Sequence, residues 1–360
     1  MDDRLLVGTR KGLFALRRGA KGWATEDKWF VGSPVSMVLA DPRDGTVYAA
    51  LALGHFGVKL HRSDDGLKTW KELAAPAYPK ADGADDKAPA LELLWALESA
   101  GTDRPGALWA GTIPGGLFAS PDRGESWSLV ESLWNRPERK EWNGGGYDHP
   151  GIHSVAVNPR NSSDIIVAVS TGGVWHSDDA GASWRLGGKG LYAEYMPPDQ
   201  RENLVMQDVH RLVRCPAAPE KMWIQHHNGV FHSVDGGARW EDVTAIRPSK
   251  FGFAVAVHPR EPDTAWFAPA VKDECRIPVD GAMVVARTRD GGKSFETMRE
   301  GLPQRDAYDL VYRHSLEVDA TGERLAMGST TGHLWISEDA GARWTLVGGN
   351  LPPIACVRFG

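Results

Sequence analysis

Three histidines, His153, His210 and His314, each open a similar apolar run: HSVAVNP, HRLVRCP and HSLEVDA. An imidazole offers a lone pair near neutral pH. Three that converge can hold zinc, copper, iron or manganese and leave a position open for water or substrate. Water bound there is acidified toward neutral pH and becomes a nucleophile or base. Further acid–base groups flank these runs: Asp148 and His149 in GYDHP, Asp208 in QDVH, and His227 in QHHNG. The two aspartates suit the second ring nitrogens or a general-base role. Glu274 is a more distant carboxylate. One histidine on an apolar strand is more often bonded to a neighbouring carbonyl than to a metal, so the recurrence carries the expectation. The HPGIH spacing carries none, because i,i+4 is a helical metal spacing. The reading is a divalent metal on His153, His210 and His314, with Asp148, His149, Asp208 and His227 as catalytic groups. A metal-free version uses neutral imidazoles as acids, bases or donors.

What positions these residues is a repeat. Six segments share the frame S/T-x-D-x-G-x-x-W/F: SDDGLKTW from Ser63, SPDRGESW from Ser120, SDDAGASW from Ser177, SVDGGARW from Ser233, TRDGGKSF from Thr288 and SEDAGARW from Ser337. Their starts lie 57, 57, 56, 55 and 49 residues apart, and the first copy has its glycine displaced by one. A period near 50 that pervades a chain marks a repeat architecture. The frame reads as a tight turn: Asp accepts backbone N–H groups, Gly takes a positive φ, and the aromatic residue packs back between sheets. Each box follows one short apolar run and precedes another, with two more runs ahead, which makes four strands per repeat.

On these boxes the chain resembles the BNR or Asp-box repeat family, which includes sialidases, several glycoside hydrolases, sortilin-type receptors and photosystem assembly factors. The resemblance implies a β-propeller and leaves function open. Six boxes give six blades. The N-terminal DRLLVGTRKGLFALRRGAKGW matches three strands with a degenerate box, and the C-terminal IACVRFG reads as a lone strand. Together they make a seventh blade that removes the open sheet edge. The expected fold is all-β, one seven-bladed β-propeller over residues 1–360, with six blades the runner-up.

The innermost strands align as SMVLADP, HSVAVNP, HRLVRCP, FAVAVHP and HSLEVDA, while LELLWALE in the third blade lacks the x-P anchor. In a propeller equivalent positions converge, so the three histidines are expected to face one another at the mouth of the channel. His149, His226, His227 and His55 map to the same face. His61, His176 and His232 fall on strands leading to the boxes and His258 at the opposite end, where they read as structural or exposed. Sialidases of this family carry an arginine cluster. Arg276 in CRIP sits in a long insertion, and Arg211 and Arg313 adjoin a mouth histidine, so alternation points them to the other side of the strand.

Composition narrows the classes. A net charge of −6 and no basic stripe argue against nucleic acid, and no run approaches 18 apolar residues, which argues against a membrane helix. Three cysteines without CxxC spacing exclude a zinc ribbon, and the N-terminus lacks a leader pattern, pointing to the cytoplasm. Long loops at residues 129–151, 189–208 and 270–282 suggest function on one face. Trp134, Trp142, Tyr147, Tyr192 and Tyr195 suit stacking on a sugar or another ring. The expected activity is a metal-assisted hydrolase or lyase on a small polar, sugar-like or aromatic ligand. The alternatives are a metal-free glycoside hydrolase using paired carboxylates such as Asp148 and Asp208, and a non-enzymatic binding or assembly scaffold.

Overall fold

A computed structural model of the protein describes residues 3–80 and 88–360. Short runs rich in Val, Ile, Ala and Trp, bounded by Gly, Pro or Asp, form strands that hydrogen-bond into seven four-stranded antiparallel sheets among the described residues. This is the strand architecture of a seven-bladed β-propeller. Blade 1 joins the two ends of the chain: Ile354–Phe359 pairs antiparallel with Arg4–Thr9, followed by Gly12–Gly19 and Gly22–Trp29. Blades 2 to 7 begin at Val35, Leu93, Ile152, Val209, Gly252 and Leu316. The expected closing blade is therefore present, and the six-bladed alternative is not.

Two compact units contain the blades. One comprises the chain up to Val35, Gly188–Asn203 and Val209–Gly360, and holds blades 1, 5, 6 and 7. The other, Ser36–Gly187 with Leu204–Asp208, holds blades 2, 3 and 4. Each core lies between adjacent sheets of its unit. Trp223 and Val230 of blade 5 pack with Val255 and Phe267 of blade 6, and Trp266 and Val285 of blade 6 with Met327 and Trp335 of blade 7. In the other unit Trp109 of blade 3 packs with Val167 and Trp175 of blade 4. Truncating one such tryptophan to alanine costs about 3–5 kcal/mol.

The six box turns share one hydrogen-bond set. The Oγ of Ser63, Ser120, Ser177, Ser233, Thr288 and Ser337 accepts the N–H four residues on, at 2.7–3.0 Å. Each hydroxyl also donates to the box aspartate, whose Oδ1 accepts the N–H four residues beyond itself, as Asp179 does from Ser183 at 2.8 Å. Hydrogen bonds from the Thr69 and Ser294 side chains, then from backbone, push Asp65 and Asp290 down to about 2. Two consecutive residues take positive φ in every turn, for example Ala180 at 61° and Gly181 at 86°. The displaced glycine of the first copy follows from this: Gly66 fills the first left-handed position (73°) and Leu67 the second (77°).

A candidate metal centre at the strand starts

The first strands of blades 3 to 6 begin with the same backbone device. In blade 4 Ile152 pairs with Val169 and Ser154 with Ala168, so His153 is an inserted residue. In blade 5 Val209 pairs with His226 and Arg211 with Gln225, which inserts His210. Trp95 is the extra residue of blade 3, between the pairs Leu94–Thr112 and Ala96–Gly111. In blade 6 Phe253 and Ala254 together oppose one residue, between the pairs Gly252–Pro269 and Val255–Phe267. A β-bulge breaks the alternation of a strand and re-aims the inserted side chain. It also fixes the register that lacked an anchor: Trp95 is the counterpart of His153 and His210. His314 is not in such a bulge. It precedes the strand Leu316–Val318 and is held by an isolated bridge to Cys356.

In the unit of blades 2 to 4, His153 is fully buried. Its ring lies edge-on to Trp95 at 5.4 Å, and its Nδ1 meets Ser154 Oγ at 2.9 Å. His149 is exposed on the loop above, where its Nδ1 pairs with Glu92 Oε1 at 2.7 Å. Asp148 beside it is exposed. Tyr147, half exposed, stands against Trp95 at 5.0 Å.

In blade 5, His210 is 2% exposed and lies flat on Phe253, the neighbouring bulge residue, with centroids 4.3 Å apart and planes 13° apart. Its Nδ1 sits 2.6 Å from the Gly252 carbonyl. A carbonyl only accepts, so Nδ1 carries the proton and the lone pair of the neutral ring is on Nε2, the arrangement of a metal-ligating histidine. Gly252 is held in turn: a Cβ there would meet the Ala268 carbonyl at 2.9 Å and Gln225 Oε1 at 3.3 Å. The Gln225 amide nitrogen lies 3.1, 3.1 and 3.0 Å from the carbonyls of His226, Gly229 and Lys250. His227 occupies the two-residue turn between His226 and Gly229, its ring 5.4 Å from that of His210 and 5.0 Å from Tyr195.

Asp208 is joined to His210 through a single residue and is 5% exposed. The carbonyl before it, of Gln207, accepts the N–H groups of Gly172 and Gly173. Gly145, at φ 55°, lies against its carboxylate, with a Cβ position 3.5 Å from both oxygens. Asp208, His210 and His227 each offer a ligand atom, and these atoms lie within 4.8 Å of one another. Among the described residues no other His, Cys, Asp or Glu forms such a group of three.

The structure therefore regroups the expected site. His210, expected to share its ion with His153 and His314, instead stands with Asp208 and His227. The donor group does not include His153, which is walled in by Trp95, or His314, whose Nδ1 takes the Arg358 guanidinium at 3.5 Å. Asp148, His149 and Glu274 are outside the group as well. Glu274 is exposed and paired with Lys272 at 3.5 Å. His61, His232 and His258 are held below the usual imidazole value by burial, as suits neutral structural rings.

One arginine is not where alternation would put it, and a second reaches the same ring from the long insertion. Arg313 lies in a turn, not a strand, and its guanidinium is 5.2 Å from the centre of the Phe253 ring; that of Arg276, from the long insertion, is at 5.3 Å. The ring on which His210 stacks is thus also flanked by two cations. The sequence signal was the FGFAV run itself, where an aromatic replaces histidine at the aligned position.

Two imidazoles and one carboxylate suit zinc, iron or manganese and leave coordination positions for water and substrate. No family model matches the chain, and no curated protein matches it. Among solved structures the chain is similar to an ancestral GH74 enzyme, with a TM-score of 0.58 and 18% identity over 84% of this chain. It spans only 36% of that enzyme's length. It is also similar to YCF48 bound to D1 peptide, with a TM-score of 0.57, 14% identity, 94% of this chain and 90% of that one. YCF48 from Cyanidioschyzon merolae gives 0.52 and 12%, over 87% and 84%. These likenesses establish a β-propeller fold that serves both an enzyme and a peptide-bound protein.

Proposed function

We propose that this protein is a metal-assisted hydrolase or lyase whose divalent ion is held by Asp208, His210 and His227. The observation that carries the reading is the convergence of these three donors within 4.8 Å, with His210 locked by Gly252 in the tautomer that presents Nε2. The ion would acidify a bound water or polarise a substrate oxygen. Tyr195, 45% exposed and against His227, offers a ring face for a small polar, sugar-like or aromatic substrate. One carboxylate leaves the ion with net positive charge, and Arg276 and Arg313 near Phe253 add to it, which favours a substrate with negative charge or electron-rich oxygens.

The test is calorimetric titration of the chelator-stripped protein with Zn²⁺ and with Mn²⁺. One equivalent should bind, and His210→Ala and His227→Ala should each weaken it by more than about 100-fold, beyond what loss of an outer-shell partner costs. Stoichiometric binding that survives both substitutions overturns the reading.

A second reading is a peptide-binding scaffold, supported by the near-complete mutual coverage with YCF48, a protein with a peptide bound in one solved structure. It gains if the protein retains a peptide ligand with all three donors replaced. A metal-free glycoside hydrolase built on Asp148 and Asp208 gains if their asparagine variants lose activity on a glycoside that chelation does not affect.

A further inference from the structure

Another histidine–carboxylate pair, His333 with Asp309, lies in blade 7, apart from the donor group. Asp309 is 4% exposed and sits in the segment leading to that blade's first strand. Its Oδ1 accepts from Ser329 Oγ at 2.7 Å, from Thr331 Oγ1, and from His333 Nδ1 at 2.8 Å. The turn that carries His333 is pinned by the Ser329 N–H on the His333 carbonyl at 2.9 Å and the His333 N–H on Ser329 Oγ at 3.2 Å. This turn joins the second and third strands of its blade, as the turn carrying His227 does in blade 5.

The chemistry follows from which atoms are engaged. A buried carboxylate on Nδ1 fixes the proton there and leaves the lone pair on Nε2. The His333 side chain is 35% exposed, and its Nε2 makes no hydrogen bond among the described residues. Neither Ser329 nor Thr331 bonds to Nε2; both donate to Asp309, and Thr331 Oγ1 also lies 3.1 Å from His333 Nδ1 and 2.9 Å from Ser329 Oγ. An imidazole held this way has no hydroxyl partner on Nε2 to activate, and a side chain exposed to this extent can meet water.

We propose that Asp309 and His333 form a proton-transfer dyad in which His333 Nε2 activates water against a carboxylic ester. Nε2 takes a proton as the water oxygen bonds to the carbonyl carbon. The bond from that carbon to the alkoxy oxygen then breaks, and the departing alcohol takes the proton back from Nε2. Ester and water become acid and alcohol, and both side chains end as they began. Asp309 is the positioning residue: it holds the tautomer and faces the imidazolium that forms.

The probe is p-nitrophenyl acetate with the chelator-stripped protein, so that any activity of the donor group at Asp208, His210 and His227 is silent. Hydrolysis should exceed that of free imidazole at equal concentration by at least about 100-fold, the lower range for a positioned general base. His333→Ala should lose it and regain a measurable part with added imidazole. Ser329→Ala, which loosens the same turn without removing the base, should keep most of it. Nitrogen-15 NMR of the unmodified protein should find His333 protonated at Nδ1, and Asp309→Asn should shift that tautomer and slow hydrolysis about tenfold or more. A rate no better than free imidazole, a rate unchanged in His333→Ala, or an Nε2-protonated ring each overturns the proposal, and the NMR result stands even if the alanine variant fails to fold.

Discussion

The two kinds of repeated feature in this protein are built in opposite ways. At the box turns both backbone and side chains repeat: six copies use the same hydroxyl, the same carboxylate and the same pair of left-handed residues. At the strand starts of blades 3 to 6 the backbone repeats and the side chain does not. One bulge carries Trp95, His153, His210 and Phe253 in turn. Where side chains are uniform, each turn solves the same local problem of satisfying its own backbone. Where a constant backbone presents different side chains, the scaffold supplies position and the residue supplies chemistry. His153 and His210 show how much the neighbour decides: beside Trp95 the ring is sealed, and beside Gly252, His227 and Asp208 it is one of three donors.

Substitutions should separate the two regions, beginning with the largest effects. Trp240→Ala removes a 1% exposed aromatic of a box and should cost about 3–5 kcal/mol in denaturant unfolding. The folded fraction should bind metal as before. His210→Ala should lose metal binding outright while costing the apo protein less, roughly 2 kcal/mol, for the cavity beside Phe253 and the Gly252 carbonyl left without its donor. Equal loss of both properties in the two variants would collapse the distinction. His153→Ala sharpens the comparison within the bulges: it leaves a cavity under Trp95, costs roughly 2 kcal/mol, and leaves metal affinity intact.

Smaller effects follow. Ser177→Ala deprives the Gly181 N–H of its 2.7 Å acceptor in a buried turn and should cost about 1–2 kcal/mol, with no effect on metal binding. Acid should act on the box turns through their aspartates. Asp65 and Asp290 are depressed to about 2 when folded, so their contribution is present above the unfolded value near 4 and lost as pH falls toward 2. Unfolding midpoints measured down that window should fall more for the parent than for Asp290→Asn.

The sequence made the box turns legible because their chemistry is local: the donors and acceptors lie within eight residues of one another. The closing blade was legible for a related reason, since a run of three strands and a lone fourth complete one sheet. The donor group was readable only in part. His210, His227 and Asp208 could be named as candidates, but strand alternation holds only in a regular strand. A bulge adds one residue and shifts every inference about facing, and His314 shares the motif without sharing the bulge. Alternation turns Arg313 away from the site and a place in the long insertion separates Arg276 from the strand starts, yet both reach the ring beside His210 through a turn and that insertion. His333 carries no signal in the sequence, because its partner Asp309 lies 24 residues away and only the fold joins them.

The most direct measurement is diffraction from crystals soaked in Zn²⁺, with data on both sides of the zinc absorption edge. One anomalous peak should stand about 2.0–2.2 Å from His210 Nε2, from a ring nitrogen of His227 and from an Asp208 oxygen. A fully occupied peak at His153 or His314, or none at the three donors under saturating zinc, would contradict the assignment.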